Sequence, residues 1–320
     1  MSTVAAAHEL AQRLRAGLDR VVMGQPLVKE RLIACLFAGG HALIEGVPGT
    51  AKTLLALALS RLLGCGFRRI QFTPDLMPVD LLGTNVFSQK TQDFSFMPGP
   101  VFTEVLLADE INRTPPRTQS ALLEAMQERA VTIDGHRHPL SPAFFVCATQ
   151  NPIEFEGTYP LPEAQRDRFL LKIDVHHPER DDELAVLRAY AGGQGLHDQV
   201  LATLEAVTDP AGVVAARAAV ATLVRAEEKL LAYIRDVVAA TRADDSLQLG
   251  AGTRASLALL AACRAQAVVR GRDFITPDDV KELAPAVLAH RVSLAPEAEM
   301  EGTGLAEVLE RIFAKTEVPR

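Results

Sequence analysis

Two kinds of apolar pattern alternate along the chain. Short continuous apolar runs, Ala42-Leu43-Ile44, Val105-Leu106-Leu107-Ala108 and Ala143 to Ala148, have the length and flanks of fully buried strands. Residues 67–72 and Phe169 to Val175 read as two further strands. Between these runs apolar residues recur at helical spacing. Leu10, Leu14 and Leu18 mark a helix over 5–20, and Pro26 opens a second over 26–38 that Gly39-Gly40 ends. Further helices are expected just after residue 53, over 117–129 and over 162–168. Strands alternating with helices predict an α/β fold with a parallel sheet covered on both faces.

Two stretches break the alternation. From 73 to 102 the chain is rich in Pro, Gly, Asp and Phe and too long for an ordinary connection. Thr84 to Phe87 and Phe94 to Met97 flank polar Ser88 to Asp93, which predicts a small finger inserted at about 84–98; a plain surface loop is the alternative. Val131 to His138 reads as a hairpin with Asp134-Gly135 at its turn. After His176-His177-Pro178, which reads as a linker, the pattern becomes helical. Candidate helices cover 179–191, 213–240, 253–270 and 277–290, the last opened by Thr276 as cap and Pro277. The expected division is an α/β core over 1–177 and a smaller all-α lid over 178–320.

Composition narrows the function classes. The 320 residues carry a net charge of −7, which argues against nucleic-acid binding by the chain as a whole; Arg137 on the hairpin is the one local point in its favour. Cys35, Cys65, Cys147 and Cys263 lie far apart with no C-x-x-C pair, so they read as buried thiols in a reducing cytoplasm. No apolar run reaches membrane-spanning length, and Met1 to Ala7 lacks the pattern of a secretory signal.

The candidate chemistry centres on Gly46-Val47-Pro48-Gly49-Thr50-Ala51-Lys52-Thr53, which lies between a buried strand and a helix starting near Leu54. Successive backbone N–H groups of such a loop wrap an anion, and the helix N-terminus adds positive partial charge. Lys52 would reach the outer phosphates of a nucleotide, and the Thr53 hydroxyl would ligate Mg²⁺. Ala51 stands where this motif usually has its second glycine, which is tolerable if φ there is already negative and helical. Asp109 and Glu110 end an apolar strand 57 residues after Lys52. An Asp there can hold Mg²⁺ through its water shell, and the Glu can orient or deprotonate a water. Asn151, at the end of the next strand, could contact the γ-phosphate or serve only as a turn residue before Pro152. Arg166 and Arg168 flank Asp167; one could be an arginine finger, and the alternative is a surface salt-bridge cluster. Arg254 could reach phosphates, or be a solvated helix residue. His136 and His138 share a hairpin but lack a third metal ligand.

Together these stretches resemble the motifs of the MoxR group of AAA+ ATPases. The likeness rests on Gly46 to Thr53, Asp109-Glu110-Ile111-Asn112-Arg113, Ala148-Thr149-Gln150-Asn151-Pro152 and Asp167-Arg168-Phe169, with Gly24-Gln25, Ala121 to Glu128 and Gly271 to Val280 in support. The resemblance implies an ATPase, usually a hexameric ring, using ATP and Mg²⁺. It assigns Lys52 and Thr53 to Walker A, Asp109 and Glu110 to Walker B, Asn151 to sensor 1, Arg168 to the arginine finger and Arg254 to sensor 2. It places the adenine near Val22, Met23 and Gly24, and makes 84–98 the helix-2 insert facing the pore. It further implies chaperone-like remodelling of a protein client, often with a von Willebrand factor A partner, in metal insertion or complex assembly. A magnesium-chelatase-like motor subunit and a nucleotide-dependent scaffold with little turnover are the alternatives. Two departures stand out: Gly250-Ala251-Gly252-Thr253 precedes Arg254 where relatives usually have Ser-Pro, and Arg166 stands at an often apolar position and competes with Arg168.

Overall fold

The computed structural model describes residues 3–90, 92–152, 157–191 and 197–319; Thr91 of the inserted finger lies outside them. The first half of the chain runs α1 (Val4–Asp19), α2 (Pro26–Phe37), β1 (Ala42–Gly46), α3 (Lys52–Leu62), β2 (Phe67–Gln71), α4 (Pro78–Leu82), β3 (Gly83–Ser88) and β4 (Asp93–Pro98). It continues through β5 (Val105–Asp109), α5 (Pro116–Glu128), β6 (Ala130–Ile133), β7 (His136–Pro139), β8 (Phe145–Gln150), α6 (Glu163–Arg166) and β9 (Leu171–Val175). Five strands form one parallel sheet in the order β2-β5-β8-β1-β9.

The apolar runs are continuous because both faces of the sheet are covered. Side chains alternate between faces along each strand. Ala42 and Ile44 of β1, Val105 and Leu107 of β5, and Phe145 and Cys147 of β8 therefore enter one core with α1, α2 and α3. Leu43, Leu106, Ala108, Val146 and Ala148 enter a second core, where Leu122, Leu123 and Met126 of α5 pack.

The second half is helical: α7 (Arg180–Ala189), α8 (His197–Ala202), α9 (Pro210–Leu223), α10 (Glu228–Ala243), α11 (Thr253–Val269), α12 (Pro277–Leu288), α13 (Pro296–Met300) and α14 (Leu305–Lys315), with a short β10 (Leu247–Leu249) and β11 (Ser293–Leu294) pair. Thr276 caps α12 as the sequence suggests, and its partner in the capping box is Asp279. The expected single helix over 213–240 is instead two, α9 and α10. The backbone between them leaves the helix to pair with a distant segment: Arg225 N–H donates to the Asp273 carbonyl and Ile275 N–H to that of Arg225, at 2.8 and 3.2 Å. The core around α1–α3 continues without a break through Val213, Val237, Leu259, Val280 and Ile312. Arg217 of α9 reaches across to the carbonyls of Leu36, Pro142, Ala143 and Phe144. Burial pushes its pKa down to about 10, with Arg129 adding to the effect.

Both expected hairpins are present. β3 and β4 pair antiparallel from Gly83↔Pro98 to Ser88↔Asp93, and β6 and β7 turn at Asp134 and Gly135, both with positive φ. Phe96 stacks on His138 with ring centroids 3.9 Å apart, and Asn85 donates to Asp134 at 2.7 Å, so the two hairpins lean on each other. Among the described residues no cluster of three or more His, Cys, Asp or Glu could hold a metal, and no helix is long and apolar enough to cross a membrane.

His41, at the start of β1, is buried between Phe144 and Phe145. Its Nδ1 accepts from Val146 N–H at 3.0 Å. Burial, with Arg129 and Arg217 nearby, pushes its pKa down to about 3. The unfolded chain protonates near the ordinary value, so this contribution is complete above about pH 6.5 and is lost as pH falls toward the folded value. At pH 5 the loss from His41 amounts to about 2 kcal/mol. Urea unfolding at pH 7 and pH 5 should show it, with His41→Asn giving a shallower pH slope than wild type; equal slopes would remove His41 as the cause.

Candidate nucleotide site

Strand β1 delivers the glycine-bearing loop at the C-terminal edge of the sheet. Gly46 must be glycine because a Cβ there would lie 2.4 Å from the Val175 carbonyl oxygen of β9. Gly49 turns with φ 84° and opens onto free space. Ala51 does not have the negative φ expected of it. Its φ is 62°, because the chain makes one left-handed step before Lys52 begins α3. The alanine therefore carries the strain that a glycine in this place avoids. Thr50 Oγ1 donates to the Val47 carbonyl at 2.9 Å, and Lys52 Nζ to the carbonyls of Gly46 and Val47 at 2.5 and 2.8 Å. Burial lowers the Lys52 pKa, while Asp109 and Glu110 oppose that shift.

A cavity of about 430 Å³ opens over this loop, lined by residues 48–54, Arg69, Asp109, Glu110, Thr149, Gln150 and Asn151. Asp109 ends β5 with its carboxylate nearly enclosed. Thr149 Oγ1 donates to Asp109 Oδ1 at 2.6 Å and accepts from the Glu110 N–H at 2.9 Å. Arg69 of β2 donates to Asp109 Oδ2 at 2.7 and 3.1 Å. Glu110 sits in the left-handed region, φ 57°, which turns its side chain out of the strand. It accepts from Gln71 Nε2 at 2.6 Å and pairs with Arg113 at 3.4 Å. Asn151 is buried just beyond β8. Buried Gln119 of α5 donates to the carbonyls of Ile111, Thr114 and Tyr159 and holds the turn after Glu110.

Thr149, Arg69 and Gln71 had no assigned role in the sequence. Arg69 and Gln71 alternate on β2, which is a readable sign that they share a face; what they face depends on the register Gln71↔Asp109.

The other candidates lie elsewhere. Met23 and Gly24 line a separate cavity of about 840 Å³ with His176, His177 and Asp182, beside the end of β9. Val22 is buried, and its N–H donates to the Leu18 carbonyl. Arg168 and Arg254 line a third cavity of about 310 Å³ with Asp167 and Arg291. That cavity is at the N-terminal edge of the sheet, away from the loop. Arg254 pairs with Asp167 at 3.3 Å, and Arg168 donates to the Leu123 carbonyl at 2.9 Å. Arg166 is outside this cavity and lies 4.0 Å from Glu163.

An anion cradle, a lysine and two strand-end acids in one cavity on this parallel sheet define a P-loop nucleotide-binding protein. The chain matches the ATPase family associated with various cellular activities (AAA) over residues 41–171, and the AAA lid domain over 239–312. It is 42% identical to Chaperone MoxR1 of Mycobacterium tuberculosis, covering 95% of this chain and 81% of that one. It is 31% identical to Protein MoxR of Methylorubrum extorquens, covering 97% and 95%. A solved protein from Cytophaga hutchinsonii with a provisional ATPase designation superposes with a TM-score of 0.88 at 39% identity, covering 98% of this chain and 96% of that one. The chain belongs to the MoxR family of AAA ATPases, and ATP hydrolysis is its chemistry.

Ala51→Gly should relieve the left-handed strain and raise stability by about 0.5–1 kcal/mol after the added unfolded-state entropy; a lower urea midpoint would contradict this. Thr149→Val should cost about 1–3 kcal/mol by leaving a carboxylate oxygen and an N–H without their partner. Thr149→Ser should restore most of it, and a valine variant as stable as wild type would remove the role.

Proposed function

We propose that the chain hydrolyses Mg–ATP at contacts between copies in a ring, of six by the family resemblance, and uses the cycle to remodel a protein client. The observation that carries this reading is the separation of the two halves of the chemistry. The loop, Lys52, Asp109 and Glu110 lie at one edge of the sheet, while Arg168 and Arg254 lie at the other. The five residues of β9 separate the edges by roughly 16 Å, so one chain's arginines serve a neighbour's nucleotide.

In this reading the N–H groups of Val47 and of Gly49 to Leu54, with the N-terminus of α3, bind the phosphates, and Lys52 leaves its two carbonyls for the anion. The enclosed Asp109 carboxylate and Thr53 line one cavity, and a carboxylate with a hydroxyl is an oxygen donor set that fits a hydrated divalent ion. Thr53 and Asp109 would hold Mg²⁺, which supplies charge neutralisation between the phosphates. Glu110 takes a proton from the attacking water, and Asn151 orients it. Val22 to Gly24 offer backbone groups to the base, with the 840 Å³ cavity beside them as its pocket. Phe87, Phe94 and Met97 leave the β3–β4 finger largely exposed and suit contact with a client. The chaperone name of one relative supports such a client. The resemblance adds a von Willebrand factor A protein as partner. The division into a core over 1–177 and a lid over 178–320 is part of this proposal. All four cysteines are unpaired thiols, which suits the cytoplasm.

Glu110→Gln should retain ATP binding and slow turnover by about 100-fold or more, measured as phosphate release. Lys52→Ala should weaken binding itself. Arg168→Ala and Glu110→Gln, each inactive alone, should regain activity when mixed, because some contacts then pair an intact loop with an intact arginine. No recovery at any ratio, with mixed assemblies demonstrated, would overturn the shared site.

A further inference from the structure

Two basic side chains line the phosphate cavity, and they are engaged differently. Lys52 is turned onto the carbonyls of Gly46 and Val47. Arg69 instead places Nη2 and Nε on one oxygen of Asp109, at 2.7 and 3.1 Å. The other oxygen holds Thr149 at 2.6 Å. Both oxygens of Asp109 are thus engaged within the chain. The Arg69 side chain is 49% exposed, against 12% for Asp109, so the carboxylate is fixed and the guanidinium has room to move.

We propose that Arg69 is the resident counter-ion of the metal-binding carboxylate: it neutralises Asp109 when no metal is bound and must withdraw for Mg²⁺ to enter. This rests on the assignment of Asp109 to the metal. Asp109 and Glu110 are adjacent acids at one cavity; Arg113 pairs with Glu110 and Lys52 feels both, but Arg69 is the cation in direct contact with Asp109. A hydrated Mg²⁺ holding Asp109 through its water shell competes with the guanidinium for the lone pairs that Arg69 uses. The competition ends when the Arg69 side chain swings away from Asp109. The swing has a second effect. Arg69 Nη2 also donates to Gln71 Oε1 at 3.2 Å, and Gln71 donates to Glu110 at 2.6 Å. Arrival of metal at Asp109 therefore frees the side chain that steadies the partner of Glu110. Arg69 acts through these acids and is a positioning residue.

The test is a Mg²⁺ titration of binding of a fluorescent ADP analogue, starting from EDTA-treated full-length protein. In Arg69→Gln the half-saturating Mg²⁺ concentration should fall by about 3-fold to 10-fold, since the metal no longer displaces a cation. The metal-free variant should also melt below wild type, and the gap should narrow when Mg²⁺ and ADP are added. Arg69→Lys, which keeps the charge, should hold the Mg²⁺ requirement close to wild type. An unchanged or higher Mg²⁺ requirement in a folded Arg69→Gln protein overturns the proposal. So does an equal loss of ADP affinity with and without Mg²⁺, which would make Arg69 a phosphate ligand. If wild-type ADP binding ignores Mg²⁺ altogether, the metal role of Asp109 falls as well.

Discussion

Parallel pairing is the constraint on which the site depends. Leu107 of β5 pairs with Cys147 of β8, and Cys147 with Ala42 of β1, all three strands running the same way. Their last residues therefore emerge at one edge. Gly49, Asp109 and Asn151 have no local relation in the sequence; the shared register of β1, β5 and β8 is what gathers them around one cavity. Neighbouring strands lie about 4.8 Å apart, so Asp109 stands roughly 10 Å across the sheet from Ile44, two residues before Gly46, with β8 between them. That gap leaves room for a phosphate chain with its cation between lysine and carboxylate. A slip of one residue in β5 would turn Asp109 to the other face and carry the apolar side chains with it, at the expense of both cores.

The same edge concentrates charge, and the resting site deals with it internally. Lys52 lies against carbonyl oxygens, Asp109 is shared by Thr149 and Arg69, and Glu110 by Gln71 and Arg113. Burial of Lys52 works against its charge and the two acids work for it. Binding of a nucleotide is then an exchange of partners and not the filling of a bare pocket. Such exchange keeps buried polar groups satisfied in both states, which is how a site can cycle without a large free-energy penalty in either.

Contiguous features of this chain were legible in its sequence. The loop from Gly46 to Thr53, the apolar strands and the Thr276 cap each announce themselves within a few residues. The left-handed step at Ala51 was misread, because an alanine is ordinarily a sign of helix and the demand for positive φ comes from the loop's path. The break between α9 and α10 was invisible for a different reason: the groups that pull Arg225 out of the helix are at Asp273 and Ile275, far along the chain. Arg69, Gln71 and Thr149 belong to the same class. Their chemistry arises across strands, and only the register says what they touch.

The far edge follows from burial of one guanidinium. Arg291, at the end of the α12 region, is almost wholly enclosed, and burial works against its charge. Five acceptors answer that cost: the Asp167 carboxylate and the carbonyls of Asp167, Phe169, Leu170 and Val287. Four of them belong to residues 167–170, so this stretch moves with the helical half of the chain. Arg254, from that half, takes the remaining oxygen of Asp167, and Arg168 is its next neighbour in sequence. Asp167 thereby joins the exposed Arg254 to the buried Arg291, while half-buried Arg168 is bonded to the Leu123 carbonyl of α5. The buried Arg291 fixes Asp167 from within, and Arg254 meets the same carboxylate from the surface.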